Sequence, residues 1–209
     1  QFNMTALACR ASNAVNAVSL VHRDVTRKMF APIWSDTQQP VLGITNGVHV
    51  STWIAPSLDT LFAEYLGSDW KSRQDDPQLW DAVLEIPDIE LWNVRLLLKS
   101  YLLTFIREHA RHRWTMEKST AAQIAASGTL LDPSALTIGF ARRFAEYKRS
   151  ELIFRDPDRL IRLLGASRRP VQFIFAGKAH PADDPGKRSL QRIYHRASDP
   201  RFAGRVAFV

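Results

Sequence analysis

Four cations and a phenol crowd one short stretch, Thr137–Arg149, which reads TIGFARRFAEYKR: Arg142, Arg143, Lys148 and Arg149, with Tyr147 among them. A guanidinium offers two donors to two oxygens at once, and an ammonium supplies a compact charge, so such a group receives phosphate dianions. Cations packed side by side repel one another without an anion, and attraction to one strengthens where the local dielectric is low. The cluster therefore expects at least one bound phosphate, with a second as a further option. The plainer reading is a solvated helix start carrying ordinary surface charges.

Other chemistry finds less support. Gly177-Lys178-Ala179-His180-Pro181 and the residues up to Gly186-Lys187 invite comparison with a phosphate-binding loop. Eight residues separate Gly177 from Gly186 where that motif needs four, and Arg188 follows Lys187 in place of Ser or Thr. No G-x-G-x-x-G is present either. What remains is a loop in which Gly177 permits close backbone approach and Lys178 and His180 face a ligand or solvent. His22 and His49 stand alone and read as hydrogen-bonded structural residues, with no spacing that suggests a metal. Cys9 reads as packing. Ser150 and Ser189 lack the G-x-S-x-G context of a nucleophile. The tryptophans, among them Trp34, Trp53, Trp70, Trp80, Trp92 and Trp114, read as core residues first and sugar-stacking platforms second.

The elements that must hold these residues follow from periodicity. Residues 4–30 recur at helical spacing and predict one helix; Pro32 and Pro40 bracket a loop, and Asn46-Gly47 marks a turn. Residues 56–126 predict a helical block: Pro56–Leu66, Pro77–Leu84, and a long helix opened by Asp88 as N-cap and running to about Arg113. Leu91, Trp92, Val94, Arg95, Leu98, Leu102, Phe105 and Ile106 form its expected wide apolar face, and Thr115–Ala126 is read as a continuation. From Leu136 the pattern changes to strand 136–140, helix within 149–164, strand 171–176, helix 187–197 and strand 205–209. That β-α-β-α-β order predicts an α/β fold with a parallel, right-handed crossover sheet. In such sheets ligands sit beyond the carboxyl ends of the strands, where the cation cluster falls.

Composition bounds the function classes. The chain has 209 residues, 45% hydrophobic and 23% charged, as expected of a globular protein. Its net charge of +7 suggests nucleic acid, but acids are interleaved at Asp75-Asp76, Asp156–Asp158 and Asp183-Asp184, and no nucleic-acid signature appears. No apolar run is long enough to span a membrane as a helix. A single cysteine excludes an internal disulfide and fits a cytoplasmic setting. The chain opens on Gln1 and stops inside the apolar run Val206–Val209, so a fragment of a longer enzyme is expected.

Four motifs, in order, resemble those of the α-glucan (glycogen, starch, maltodextrin) phosphorylases, in particular the shorter bacterial branch. Val15-Asn16-Ala17-Val18 with His22 is similar to V-N-G-V…I-H-x-E. Thr45-Asn46-Gly47 with Trp53 is similar to T-N-G-I-x-x-x-x-W. Arg142-Arg143 with Glu146-Tyr147-Lys148-Arg149 is similar to K-R-x-x-E-Y-K-R, and Gly177-Lys178-Ala179 with Pro181 and Lys187 to G-G-K-A-x-P and a later lysine. The resemblance implies a two-domain Rossmann-like glycosyltransferase (GT-B) architecture, with residues 1–46 ending the first domain and 47–209 starting the second. It implies reversible phosphorolysis of α-1,4-glucans to glucose 1-phosphate, with pyridoxal 5'-phosphate as cofactor. By the same resemblance Arg143 and Lys148 are catalytic and hold substrate phosphate. Arg142 and Lys148 face the cofactor phosphate, and Asn46 and Tyr147 contact the sugar. The family has lysine where Arg142 stands, glycine where Ala17 and Ala176 stand, and its cofactor lysine lies in a later motif outside this chain, so the fragment alone is expected to be inactive. The expected partners are α-1,4-glucan with orthophosphate or glucose 1-phosphate, with homo-oligomerisation of the full protein left open. A nucleotide-sugar-dependent, glucan synthase-like enzyme and a non-catalytic glucan- or nucleic-acid-binding module are the alternatives.

Overall fold

A computed structural model of the chain describes residues 3–34, 41–116, 119–166, 168–202 and 204–209, with backbone only for 113–116. The chain divides into two compact units, Gln1–Ile54 and Ala55–Val209. Pro40 and the side chain of Trp114 lie outside the described residues.

The first unit holds α1 (Met4–Ala11), β1 (Val15–Ala17), α2 (Leu20–Phe30), β2 (Val41–Gly43) and α3 (Val50–Trp53). The expected single helix over 4–30 is therefore two helices with a strand between them. Ser12 ends α1 by bonding the Ala8 carbonyl through both its N–H (3.1 Å) and its hydroxyl (2.7 Å). Ser19 then caps α2, its hydroxyl accepting the His22 N–H at 3.0 Å. Short polar side chains compete for the backbone in this way and break a helix that apolar spacing alone would continue. The freed Val15–Ala17 pairs in parallel with Val41–Gly43.

The second unit begins with α4 (Pro56–Leu66), α5 (Pro77–Asp81), α6 (Asp88–Met116) and α7 (Ala121–Ala126). Gly67 ends α4 at φ +95°, a conformation that favours glycine. At the start of α6 the Glu90 and Leu91 N–H groups bond the Pro87 carbonyl, so Pro87 holds the cap position and Asp88 sits in the first turn, where its charge suits the helix dipole. The buried stripe of α6 runs through Leu103, Ile106 and Ala110, while Trp92, Leu102 and Phe105 are exposed. The helix carries apolar residues on most sides, so spacing alone does not choose the face. Helix α7 is a separate element with its own capping box between Thr120 and Gln123. That box starts a new helix where a continuation of α6 was expected.

The α/β part follows as β3 (Leu136–Ala141), α8 (Pro157–Leu164), β4 (Val171–Ala176), α9 (Asp184–Ala197) and β5 (Val206–Phe208). The strands form a parallel sheet in the order β3-β4-β5. Alternation along β4 feeds two layers. Phe173 and Phe175 pack with Leu160 and Ile193 of α8 and α9, and Ile174 packs with Leu103 and Ile106 of α6. The Gln172 side chain, 1% exposed, fixes the entry to β3. Its oxygen accepts the Asp132 N–H at 2.8 Å, and its amide donates to the Asp132 carbonyl at 2.9 Å and the Thr137 hydroxyl at 2.8 Å.

Candidate functional site

Strands β3 and β4 end in register, Ala141 opposite Ala176, so the segments that follow leave the sheet side by side. The Phe144 N–H donates to the Lys178 carbonyl at 2.9 Å, and Phe144 bridges Ala179 in a parallel sense. Gly177 lies between them at φ +146°, where a Cβ would overlap the Arg142 carbonyl oxygen and lie 3.3 Å from the Phe144 ring. The close approach expected at Gly177 is thus made to the backbone of the basic segment. Gly186, in the first turn of α9, completes the junction: a Cβ there would lie 2.5 Å from the Phe144 carbonyl oxygen.

Phe144 anchors the segment. It is 1% exposed, and its ring lies 5.6 Å from Phe140 and 5.8 Å from Phe208. Burying it fixes the backbone between Arg143 and Tyr147 while Arg142 and Arg143 stay exposed on the preceding residues. Next comes a 3₁₀ turn, Glu146–Lys148, closed by the Arg149 N–H to the Glu146 carbonyl at 3.0 Å. Arg149 itself is left-handed at φ 54°, uncommon for a residue with a side chain. Tyr147 is 74% exposed, and the half-buried Lys148 holds its Nζ 5.0 Å from the Tyr147 ring centroid, within cation–π reach. Among the described residues no carboxylate lies within ion-pair range of Arg142, Arg143 or Lys148. The cations are thus presented without internal neutralisation, which is what an anion-receiving surface requires.

Arg142 and Arg143 are exposed just after β3 and ahead of the buried Phe144, Tyr147 and Lys148 lie on the 3₁₀ turn that follows, and the exposed Lys178 belongs to the segment bonded to Phe144. The His180 Nδ1 accepts the Ala182 N–H at 3.1 Å, so that nitrogen serves the loop. Helix α9 begins at Asp184, three residues earlier than expected, because Asp183 caps it by accepting the Gly186 N–H at 2.9 Å. Asn46 is exposed in the irregular segment between β2 and α3 of the first unit. His22 and His49 are both hydrogen-bonded, His22 through its Nδ1 to the Val18 N–H and His49 through its Nδ1 to the Thr52 hydroxyl. Phe144 and Gly186 are the positioning residues that sequence reasoning missed. The only signal for Phe144 was an apolar residue alone in a basic run.

Three relatives set this geometry in a family context. The chain is 46% identical over 208 residues to a glycogen phosphorylase of Aquifex aeolicus, covering all of this chain and 30% of that protein. It is 40% identical over 212 residues to a glycogen phosphorylase of Mycobacterium tuberculosis, covering all of this chain and 24% of that protein. It is 40% identical over 209 residues to a maltodextrin phosphorylase of Thermococcus litoralis, covering 99% of this chain and 24% of that protein. No protein-family model matches. The chain spans between about a quarter and three tenths of the length of these relatives. Along its whole length the chain therefore matches one portion of the α-glucan phosphorylases, the family that its four motifs resemble.

Proposed function

We propose that the chain is part of an α-glucan phosphorylase catalysing reversible phosphorolysis of α-1,4-glucans to glucose 1-phosphate. In this reading residues 1–46 end one domain and 47–209 begin the second domain of a GT-B enzyme. The supporting observation is the anchored basic turn, in a chain that matches glycogen and maltodextrin phosphorylases end to end. Arg143 and Lys148 hold the substrate phosphate and offset its charge as the glycosidic bond breaks. Fixed cations do this without reorganising at the moment of reaction. Tyr147 and Asn46 contact the sugar. The donor set also suits a cofactor phosphate, since among the described residues exposed Arg142 and half-buried Lys148 have no carboxylate in ion-pair range to compete for them. Pyridoxal 5'-phosphate is the cofactor proposed, with Arg142 and Lys148 at its phosphate; when bound it supplies a proton donor or acceptor toward the substrate phosphate. The residue that attaches it lies outside this chain, and the chain alone is inactive in this reading.

The test is made in the full-length protein. Lys148→Ala is expected to remove most turnover, about 3 kcal/mol of barrier stabilisation. Arg143→Ala is expected mainly to raise the orthophosphate concentration needed for half-maximal rate. Near-normal phosphorolysis in Lys148→Ala, or an unchanged phosphate dependence in Arg143→Ala, rejects the assignment.

A further inference from the structure

A second basic feature of the α/β unit has no part in the reaction above. A cavity of about 440 Å³ is lined by Arg149, Arg155, Arg188 and Arg192 together with Glu146 and Glu151; Arg142, Arg143 and Lys148 do not line it. The buried hydroxyls of Ser150 and Ser189, 3.1 Å apart, also line it. A neighbouring cavity of about 340 Å³ shares Glu151, Arg155 and Arg192 and adds His195 and Arg196.

The arginines of α9 repeat every four residues, Arg188, Arg192 and Arg196, so they line one face of the helix over about 12 Å. Like charges at that spacing destabilise a helix, and Arg149 and Arg155 add two more. The carboxylates do not cancel them. Glu151 is taken up in a two-pronged pair with Arg192, Nε to Oε2 and Nη2 to Oε1, both 2.6 Å. That fork holds the Arg192 guanidinium in place between the two cavities. Five arginines then face two glutamates across the paired cavities.

We infer that these adjoining cavities form a binding site for a small ligand carrying two or more phosphoryl groups. Each terminal phosphoryl group carries about −1.5 to −2 charges at neutral pH, so two of them meet an excess of three cations where one carboxylate does not. Planar guanidinium forks on a 12 Å face suit phosphoryl oxygens spaced along a ligand better than a single compact anion. Inorganic polyphosphate and a bisphosphate ester share this chemistry.

Calorimetric titration of the full chain tests the site, with inorganic tripolyphosphate, fructose 1,6-bisphosphate, orthophosphate and a short single-stranded oligonucleotide as probes. Tripolyphosphate or the bisphosphate is expected to bind at least about tenfold more tightly than orthophosphate. The double variant Arg155→Ala/Arg188→Ala is expected to weaken that binding about tenfold or more, because each loses a charge-assisted hydrogen bond. Arg143→Ala is expected to leave it unchanged, which separates this site from the phosphate site proposed above. Arg155→Lys/Arg188→Lys, with charge kept, is expected to retain part of the affinity and an unchanged melting temperature. The stronger of the two multivalent probes identifies the ligand source. Affinity unaltered by the double alanine variant, affinity lost with Arg143→Ala, or tighter binding of the oligonucleotide than of tripolyphosphate would overturn the inference.

Discussion

Gly177→Ala offers a sharp test of how the basic segment is held. The added Cβ meets backbone, the Arg142 carbonyl, and not the end of a flexible side chain. Reaching ordinary contact distance requires the two segments to part by about 1 Å. The Phe144 N–H to Lys178 carbonyl bond, 2.9 Å as it stands, does not survive that movement. Two costs add: about 1–3 kcal/mol for a side chain at φ +146°, and about 1 kcal/mol for the lost hydrogen bond. The expected destabilisation is about 2–4 kcal/mol.

Gly139→Ala is the internal control. Gly139 lies in β3, and a Cβ there meets nothing within 4 Å. It is expected to be neutral or to stabilise by up to about 1 kcal/mol, because alanine narrows the unfolded ensemble. Urea unfolding of both variants, with slopes compared to confirm the same cooperative transition, measures the difference. If Gly177→Ala costs less than about 0.5 kcal/mol, or behaves like Gly139→Ala, the two loops are not locked together and the anchoring of Arg142 and Arg143 fails.

Other outcomes follow from the same contacts. Phe144→Ala is expected to cost about 3–5 kcal/mol in urea unfolding, since a fully buried ring between Phe140 and Phe208 leaves a cavity. Gln172→Leu orphans the Asp132 N–H, while the Asp132 carbonyl keeps the Ala135 N–H, and is expected to cost about 1–3 kcal/mol, read from the same curves. The Glu151 carboxyl is held below the usual glutamate range, chiefly by its hydrogen bonds to Arg192 and against the opposing effect of burial. A depressed folded-state value stabilises fully above the unfolded value of about 4.3 and is lost as pH falls through the folded one. Unfolding midpoints of Glu151→Gln should therefore fall less than those of the parent between neutral pH and pH about 3; equal acid sensitivity would show that the pair contributes nothing.

The β-α-β-α-β order was legible because each strand is a compact apolar run, as in Val171–Ala176, and β3 and β4 are closed by a charged segment and by Gly177. The 4–30 segment misled because Ala, Val and Ser keep helical spacing through Ser12 and Ser19, whose side chains turn the backbone aside. That competition is local hydrogen bonding, which hydrophobic periodicity does not register. The face of α6 was legible only in part: Leu91, Val94 and Leu98 are half-buried and Ile106 is buried as expected, but apolar residues surround the helix, so the choice of Leu103 and Ile106 over Leu102 and Phe105 is decided by Ile174 and Ala207 of the sheet, far along the chain.

The site divides along the same line. Arg142, Arg143 and Lys148 could be nominated from their chemistry alone, since cations close along the chain are candidates to receive an anion. Their alignment with Lys178 could not, because it depends on the register that sets Ala141 against Ala176, and on two missing side chains, at Gly177 and Gly186. Register is a property of paired strands, and a glycine's role is set by what approaches it. A motif match therefore names the groups proposed to bind, while the backbone contacts decide how they are placed. This is why the glycine substitutions probe the proposed site more directly than removal of any one cation. An alanine for Lys148 reports whether the charge matters, whereas an alanine for Gly177 leaves every charge in place and asks whether their arrangement matters.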